Sequence, residues 1–312
     1  MKQVCGKGGL MMKKEKRKIK ESFSDKMFYL VNGLFLLICL IIVAFPIINV
    51  ISQSFSSPGA VIAGKVFLWP VDFSVDAYKQ IFQSKMLMSG YKNSIMYTFV
   101  GTLINIVMTV AIAYPLSRKD FVGRGPITAL FVFTMIFSSP LIPTYLNIRN
   151  LNLLDTFWVM VIPGAISVYN MIIARTFFQN TIPTELFEAS ELDGATDIQV
   201  LTKVVLPLSK PILAVLVLYY AIGHWNAYFD GLIYLSTESK FPLQVVLRNI
   251  LASIEMLEQM VSTVGVQDAQ RIATVEVMKY AIIVFGSIPV LILYPFVQKY
   301  FVKGVMIGSL KG

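Results

Sequence analysis

Residues 28–51 read FYLVNGLFLLICLIIVAFPIINVI, an apolar run without a charged side chain. A helix rises about 1.5 Å per residue, so about 20 such residues cross the ~30 Å hydrocarbon core of a bilayer. A helix also bonds its backbone N–H and C=O groups internally, which a medium without water demands. The run exceeds the apolar region of a cleaved signal peptide, about 7–15 residues, and no small-residue cleavage site closes it, so it is expected to remain as a span. Five further apolar runs follow at 94–116, 126–146, 156–178, 211–235 and 280–301.

Composition agrees with this reading. Of 312 residues, 56% are hydrophobic and 14% charged, with a mean hydropathy of +0.68, against about 25% charged in an average soluble domain. The expected fold is all-α: a polytopic membrane protein with six transmembrane helices, a basic tail at 1–27 and a transmembrane domain at 28–312. With both termini, the loops 117–125 and 179–210, and Arg175 on one side, that side holds 18 of the 27 Lys and Arg residues. The positive-inside rule makes it cytoplasmic. The net charge of +9 then needs no nucleic-acid partner, and the run KKEKRKIK at 13–20 reads as topogenic and lipid-facing.

Catalytic chemistry has few residues to work with. His224 is the single histidine, so a multi-histidine metal site is excluded, and the sequence has neither a phosphate-binding G-x4-G-K-[S/T] loop nor a G-x-G-x-x-G turn. Cys5 lies in the basic tail and Cys39 inside the first span, where neither is placed to form a disulfide. The chain is expected to be no enzyme and to bind no cofactor or metal of its own. If it moves a solute against a gradient, the energy comes from ions or from another subunit.

One long polar stretch lies on the cytoplasmic side. Pro183 and Thr184 open a short helix through Leu192, and Gly194 after Asp193 suits a helix end with positive φ. Thr196 and Gln199 have capping-box spacing and start a second short helix, which Pro207 is expected to end. The product is a helix-turn-helix elbow at 183–207. On its first helix Leu186, Ala189 and Ser190 share one face, while Glu185, Glu188 and Glu191 form an acidic one. An acidic elbow is a poor fit to anionic headgroups and a good fit to a basic cleft on a partner.

Written as a pattern, the elbow is EAS-x3-G-x9-V-x-L-P, from Glu188, Ala189 and Ser190 through Gly194 and Val204 to Leu206 and Pro207. It resembles the EAA loop of bacterial ABC importer permeases, EAA-x3-G-x9-I-x-LP, with Ser190 and Val204 as the two departures. Trp225-Asn226, Phe241-Pro242-Leu243-Gln244 and the ending YPFVQKYFVKGVMIGSLKG extend the likeness to the carbohydrate branch that imports oligosaccharides and polysaccharide fragments. The resemblance implies a type I importer permease in the bacterial cell membrane, with N- and C-termini cytoplasmic. It implies a heterodimer with a second, homologous permease, two ATP-binding subunits that hold ATP and Mg, and an extracellular or periplasmic sugar-binding protein. It carries the ATPase-coupling role onto Glu188 and Gly194, with Ala189, Ser190, Asp193, Leu206 and Pro207 as supporting geometry.

The solute path is read from the fifth span. Tyr219, Gly223, Asn226 and Asp230 fall at i, i+4, i+7 and i+11, a polar and aromatic stripe flanked by His224, Trp225 and Tyr228. Aromatic faces stack on sugar rings and amides or carboxylates pair with hydroxyls, but the same stripe also suits packing against a neighbouring span. Gly101, Asn105 and Thr109 on the second span read as a packing seam. Ser138-Ser139-Pro140 with Pro143, and Pro163-Gly164, mark bends in the third and fourth spans. Residues 53–93 are expected to cap the bundle. The stripe Leu243, Leu247, Ile250, Leu251, Ile254 and Leu257 predicts an amphipathic outer helix that packs on the bundle or meets the binding protein. Two other functions remain open: an ion-driven secondary transporter, which wants acids at mid-membrane where only Asp230 lies within the spans, and a noncatalytic scaffold, which leaves the polar fifth span unexplained.

Overall fold

The computed structural model describes residues 22–137, 139–264 and 269–309. The run 13–20, Cys5, Ser138 and the last three residues of the C-terminal motif lie outside the described residues. Two compact units divide the chain, Met1–Ile48 and Asn49–Gly312. The first is described from Ser22, whose N–H donates to the Asp25 carboxylate at 3.0 Å, and consists of most of α1 (Phe23–Ser54).

The second unit opens with the last turn of α1, then α2 (Pro58–Ile62) and α3 (Asp76–Gln83), and is built around α4 (Lys85–Ser117). After it come α5 (Arg124–Ile136), α6 (Leu141–Asn150), α7 (Val168–Thr181), α8 (Thr184–Leu192), α9 (Asp197–Val200), α10 (Leu206–Leu208), α11 (Lys210–Trp225), α12 (Tyr228–Tyr234), α13 (Leu243–Val264) and α14 (Ala269–Ser309). Among the described residues there is no strand, so the all-α expectation holds.

Helix α4 passes through three apolar clusters. Leu87 joins Trp225, Leu243, Val246, Ala281 and Phe285, and Tyr97 joins Ile148, Val159, Met160 and Tyr234. Val110, Ala113, Tyr114 and Leu116 join Met171, Phe178, Val200, Val205 and Leu216. Gly90, Ser94, Tyr97, Gly101, Asn105 and Thr109 recur every three or four residues, so one face of α4 is small or polar. Ser94 accepts from the Leu243 N–H at 2.8 Å, and Thr109 bonds the Tyr220 hydroxyl at 2.6 Å. The His224 ring lies where a Cβ on Gly101 would stand, with Nε2 2.6 Å from Asn105 Oδ1. The expected seam is therefore the surface on which α11 and α13 are seated.

Among the described residues, three helices are long and apolar enough to cross a membrane, Phe23–Ser54, Lys85–Ser117 and Val275–Pro295, or up to five if each of two bent pairs forms one span. The third expected span corresponds to one such pair, Arg124–Ile136 and Leu141–Asn150. The fourth, at 156–178, is corrected: only Val168–Thr181 is α-helix, preceded by a 3-10 turn at Phe157–Met160 and an irregular stretch. Pro163 has no N–H to donate and disfavours helix in the residue before it, and Ser167 restarts the helix by accepting from the Asn170 N–H at 3.4 Å. The fifth, at 211–235, is also corrected, because α11 stops at Trp225 and α12 begins at Tyr228. Trp225 Nε1 is tied to the Gly286 carbonyl at 3.1 Å, while a Cβ on Gly231 would come within 2.7 Å of Pro242. Those two anchors draw the halves onto different neighbours, α14 and the start of α13.

The end of the bundle near the start of α4 is clamped by polar bonds. Asn93 Nδ2 donates to the Ser239 and Phe241 carbonyls at 2.8 and 3.1 Å, and the Tyr97 hydroxyl to the Lys240 carbonyl at 2.8 Å. Asp155 accepts from the Thr237 hydroxyl at 2.6 Å, Lys240 Nζ at 2.9 Å, and the N–H groups of Thr237 and Ser236 at 3.0 and 3.1 Å. The Thr237 hydroxyl first, then the Lys240 ammonium and the backbone N–H groups, hold the carboxyl well below the usual carboxylate range. Of the expected amphipathic stripe, Leu243, Leu247 and Ile254 are buried and Ile250 packs beside them, whereas the Leu257 side chain lies outside the described residues.

Two predictions test this architecture. Asn105→Ala strips a bond from His224 and another from the Gly164 carbonyl, and should cost about 1–3 kcal/mol in thermal unfolding of the detergent-solubilised protein. An unchanged midpoint would remove the seam from the fold's stability. Because the folded-state pKa of Asp155 is depressed, its contribution is present at neutral pH and is lost as pH falls below the unfolded value of about 3.9. Asp155→Asn should therefore melt lower at pH 7 and lose less stability on acidification; parallel pH profiles would count against the clamp.

Candidate functional site

The elbow forms from local sequence and is then anchored unequally. Helix α8 ends at Leu192, capped by Asp193, and Gly194 turns the chain with φ of 72°, the left-handed region that a Cβ disfavours. The capping box is present in both directions: the Gln199 N–H donates to Thr196 Oγ1 at 3.4 Å and the Thr196 N–H to Gln199 Oε1 at 3.0 Å. The second limb buries Val200 and Val205 in the cluster with Tyr114, Phe178 and Leu216. Helix α8 buries no residue.

The second limb ends one residue after Pro207, close to the expected stop. The limb runs on through a π-helical turn at Leu201–Val205 to Leu208, and bends by 84° into α11 at Ser209. In a regular helix the Pro207 ring would press on the carbonyl four residues back, and the widened turn just before it relieves that contact.

On α8, Glu185, Glu188 and Ala189 are exposed, as are Asp193 and Gly194 beyond its end. Ser190 is half-buried and spends its hydroxyl on the Leu186 carbonyl at 2.7 Å. Leu206 packs against the core cluster and Pro207 is exposed. The acidic face is divided: Glu191 pairs with Arg118 at 2.6 Å, leaving Glu185 and Glu188 to face outward. Sequence reading missed that partner, and it missed Leu192 and Ile198, which stand 90% and 74% exposed on either side of the turn. Large apolar side chains on an otherwise polar elbow were the available signal. A cavity of about 590 Å³ lies between the 117–124 loop, the end of α7 and α8, with Lys119, Arg124, Gln179 and Glu188 in its wall.

The fifth-span stripe is divided by the break at Asn226. Tyr219, Gly223 and Asn226 are exposed along α11, while Asp230 is exposed on α12, which follows a separate course. Tyr228 is half-buried. Trp225 is corrected from a flank of the path to a core residue, 4% exposed and edge-on to Tyr91 at 5.5 Å. His224 is likewise engaged in the α4 seam by its bond to Asn105. An apolar cavity of about 460 Å³ between α4, α11 and α14, walled by Phe99, Val217, Trp225 and Pro289, suits hydrocarbon rather than hydroxyls. No cluster that could hold a metal occurs among the described residues.

The all-helical body of the described residues finds its counterpart among known proteins. Residues 86–307 match the family described as "Binding-protein-dependent transport system inner membrane component". The chain belongs to this family. This permease is 40% identical over 294 residues to the "Polygalacturonan/rhamnogalacturonan transport system permease protein YtcP" of Bacillus subtilis (strain 168), covering 94% of the chain and 100% of that relative. It is 39% identical over 267 residues to "Protein LplC" of the same organism, covering 86% and 89%. A chain in the "Crystal structure of a bacterial ABC transporter involved in the import of the acidic polysaccharide alginate" superposes with a TM-score of 0.79 at 38% identity, over 90% of this chain and 99% of that one. The permease thus has an ABC importer permease fold and is a multi-pass protein of the plasma membrane.

The turn gives a direct test. A Cβ at Gly194 meets no atom within 4 Å, so substitution there costs backbone strain alone. Gly194→Ala should loosen the elbow by about 1–2 kcal/mol and Gly194→Asn by less, read as faster hydrogen exchange of the α8 amides. Equal exchange in all three proteins would show that the positive φ carries no weight.

Proposed function

We propose that this permease is the membrane-spanning subunit of an ATP-driven importer that carries an oligosaccharide into the cytoplasm. Family membership supports the transport role, and the observation that carries the mechanism is the elbow: an exposed first limb mounted on a second limb whose Val200 and Val205 lie in the core. Such a part transmits force from a docked subunit into the bundle. In this reading the transmembrane domain spans 28–312 with six spans, both termini and the 183–207 elbow are cytoplasmic, and 1–27 forms the basic tail.

The assembly comprises a second, homologous permease, two ATP-binding subunits and an external sugar-binding protein. Glu188, with Ala189, Asp193 and Gly194, meets the ATPase cleft, while Ser190, Leu206 and Pro207 hold the elbow's geometry. Tyr219 and Asn226, exposed along α11, are the residues offered to the solute, with Tyr228 and Asp230 on α12 as further candidates. Relatives named for polygalacturonan and rhamnogalacturonan and for the acidic polysaccharide alginate favour fragments of acidic polysaccharides as the first solutes to try. Loaded binding protein and ATP favour an outward-open state and hydrolysis restores the inward-facing one, a two-state population shift.

The test is reconstitution with the partner permease and ATPase subunits in proteoliposomes. Glu188→Lys should lower solute-stimulated ATP hydrolysis and uptake by about tenfold or more, the effect of losing one central interface residue. Normal uptake by that variant would remove the docking role. Purification without any associated ATPase would remove the importer itself.

A further inference from the structure

Helix α8 has no fully buried residue; Phe187 packs partly against the core cluster, and a single side chain of another element also grips the helix at two points one turn apart. The Arg118 guanidinium lies over the Phe187 ring, 4.5 Å from its centroid, and its NH2 group is 2.6 Å from Glu191 Oε1. Asp120 fixes the fork from the other side, with Nε to Oδ1 and NH2 to Oδ2 both at 3.0 Å. The Arg118 side chain is only 12% exposed, against 60% for Glu191 and 68% for Asp120. Arg118 is also the residue that closes α4, and the turn before it is secured by Arg175, whose Nε donates to the Leu116 carbonyl at 2.9 Å.

We propose that Arg118 is a positioning residue that carries movement of α8 into α4. This rests on the reading of α8 as the docking limb. Phe187 and Glu191 stand at i and i+4, so they present one face of α8 to the guanidinium, and a tilt of α8 pulls on the end of α4. Helix α4 in turn holds α11 through Asn105 and Thr109, and α11 bears the exposed Tyr219 and Asn226. Glu191 keeps most of its contact with water, so its pair with Arg118 is individually weak and can open and close within a transport cycle. Planar stacking and a bidentate fork belong to arginine, and lysine supplies neither.

The experiment uses the complete transporter in proteoliposomes and reads basal ATP hydrolysis, solute-stimulated hydrolysis and sugar taken up per ATP. Arg118→Gln and Glu191→Gln should each retain the ATPase subunits on purification, yet lower sugar per ATP by about three- to tenfold; the double variant should be no worse than the poorer single one, as expected of residues acting as a pair. Arg118→Lys should fall between Arg118→Gln and the parent. Glu191→Gln changes a largely exposed side chain and remains informative if the arginine variants fold poorly. Parental sugar per ATP in Glu191→Gln, or losses that multiply in the double variant, would overturn the proposal. Loss of the ATPase subunits from both single variants would overturn it too, since the residues would then serve docking alone. Failure of the docking reading shows separately, as an unaffected Glu188→Lys transporter.

Discussion

Backbone left out of a helix within a packed protein must find other hydrogen-bond partners, and the second unit is arranged around that demand. The stretch between the 3-10 turn at Phe157–Met160 and α7 is irregular. Asn105 Nδ2 donates to the Gly164 carbonyl at 2.8 Å, and the Ser167 N–H donates to the Tyr220 hydroxyl at 3.3 Å. Tyr220 is itself held by Thr109, and Asn105 by His224. The polar face of α4 therefore supports a broken fourth segment and seats α11 with the same few side chains. Glycine at position 101 is what lets the His224 ring approach closely enough to take part.

That arrangement separates scaffold from surface along α11. Residues that pack, Leu216, Tyr220 and Trp225, are buried, whereas Tyr219, Gly223 and Asn226 remain exposed. A helix held firmly along one side can leave the other free for a solute or a second permease. The elbow follows the same logic at the opposite end of the helix. Its second limb continues, through the bend at Ser209, into α11, and its first limb stands out with Glu188 and Leu192 uncovered. Rigidity in one limb and exposure in the other suit the lever role proposed for the elbow.

Much of this was legible in the sequence because it depends on short-range rules. The Gly194 turn, the Thr196–Gln199 capping box and the start of α8 at Thr184 are local, and each appears in the structure at its expected residue. Gly101, Asn105 and Thr109 could be read as a seam from spacing alone. Extending the same count backwards to Ser94 and Gly90 would have found the seat of α13, where Val246 and Leu243 approach Gly90. Apolar run length was a poorer guide to continuity: 156–178 and 211–235 are apolar enough to cross a membrane but are broken by Pro163 and by the anchoring of Trp225 and Gly231.

The sequence by itself determined that the chain is helical and membrane-spanning, where its acidic elbow lies and how that elbow turns, because hydropathy, capping and backbone preference act over a few residues. Tertiary structure alone decided which side chains were left to do further work. Trp225 and His224 were drawn into packing by Gly286 and Asn105, and Glu191 was taken by Arg118, partners 61, 119 and 73 residues away. No local rule specifies such pairs; they arise when helices distant in the chain are pressed together and each buried polar group must be matched.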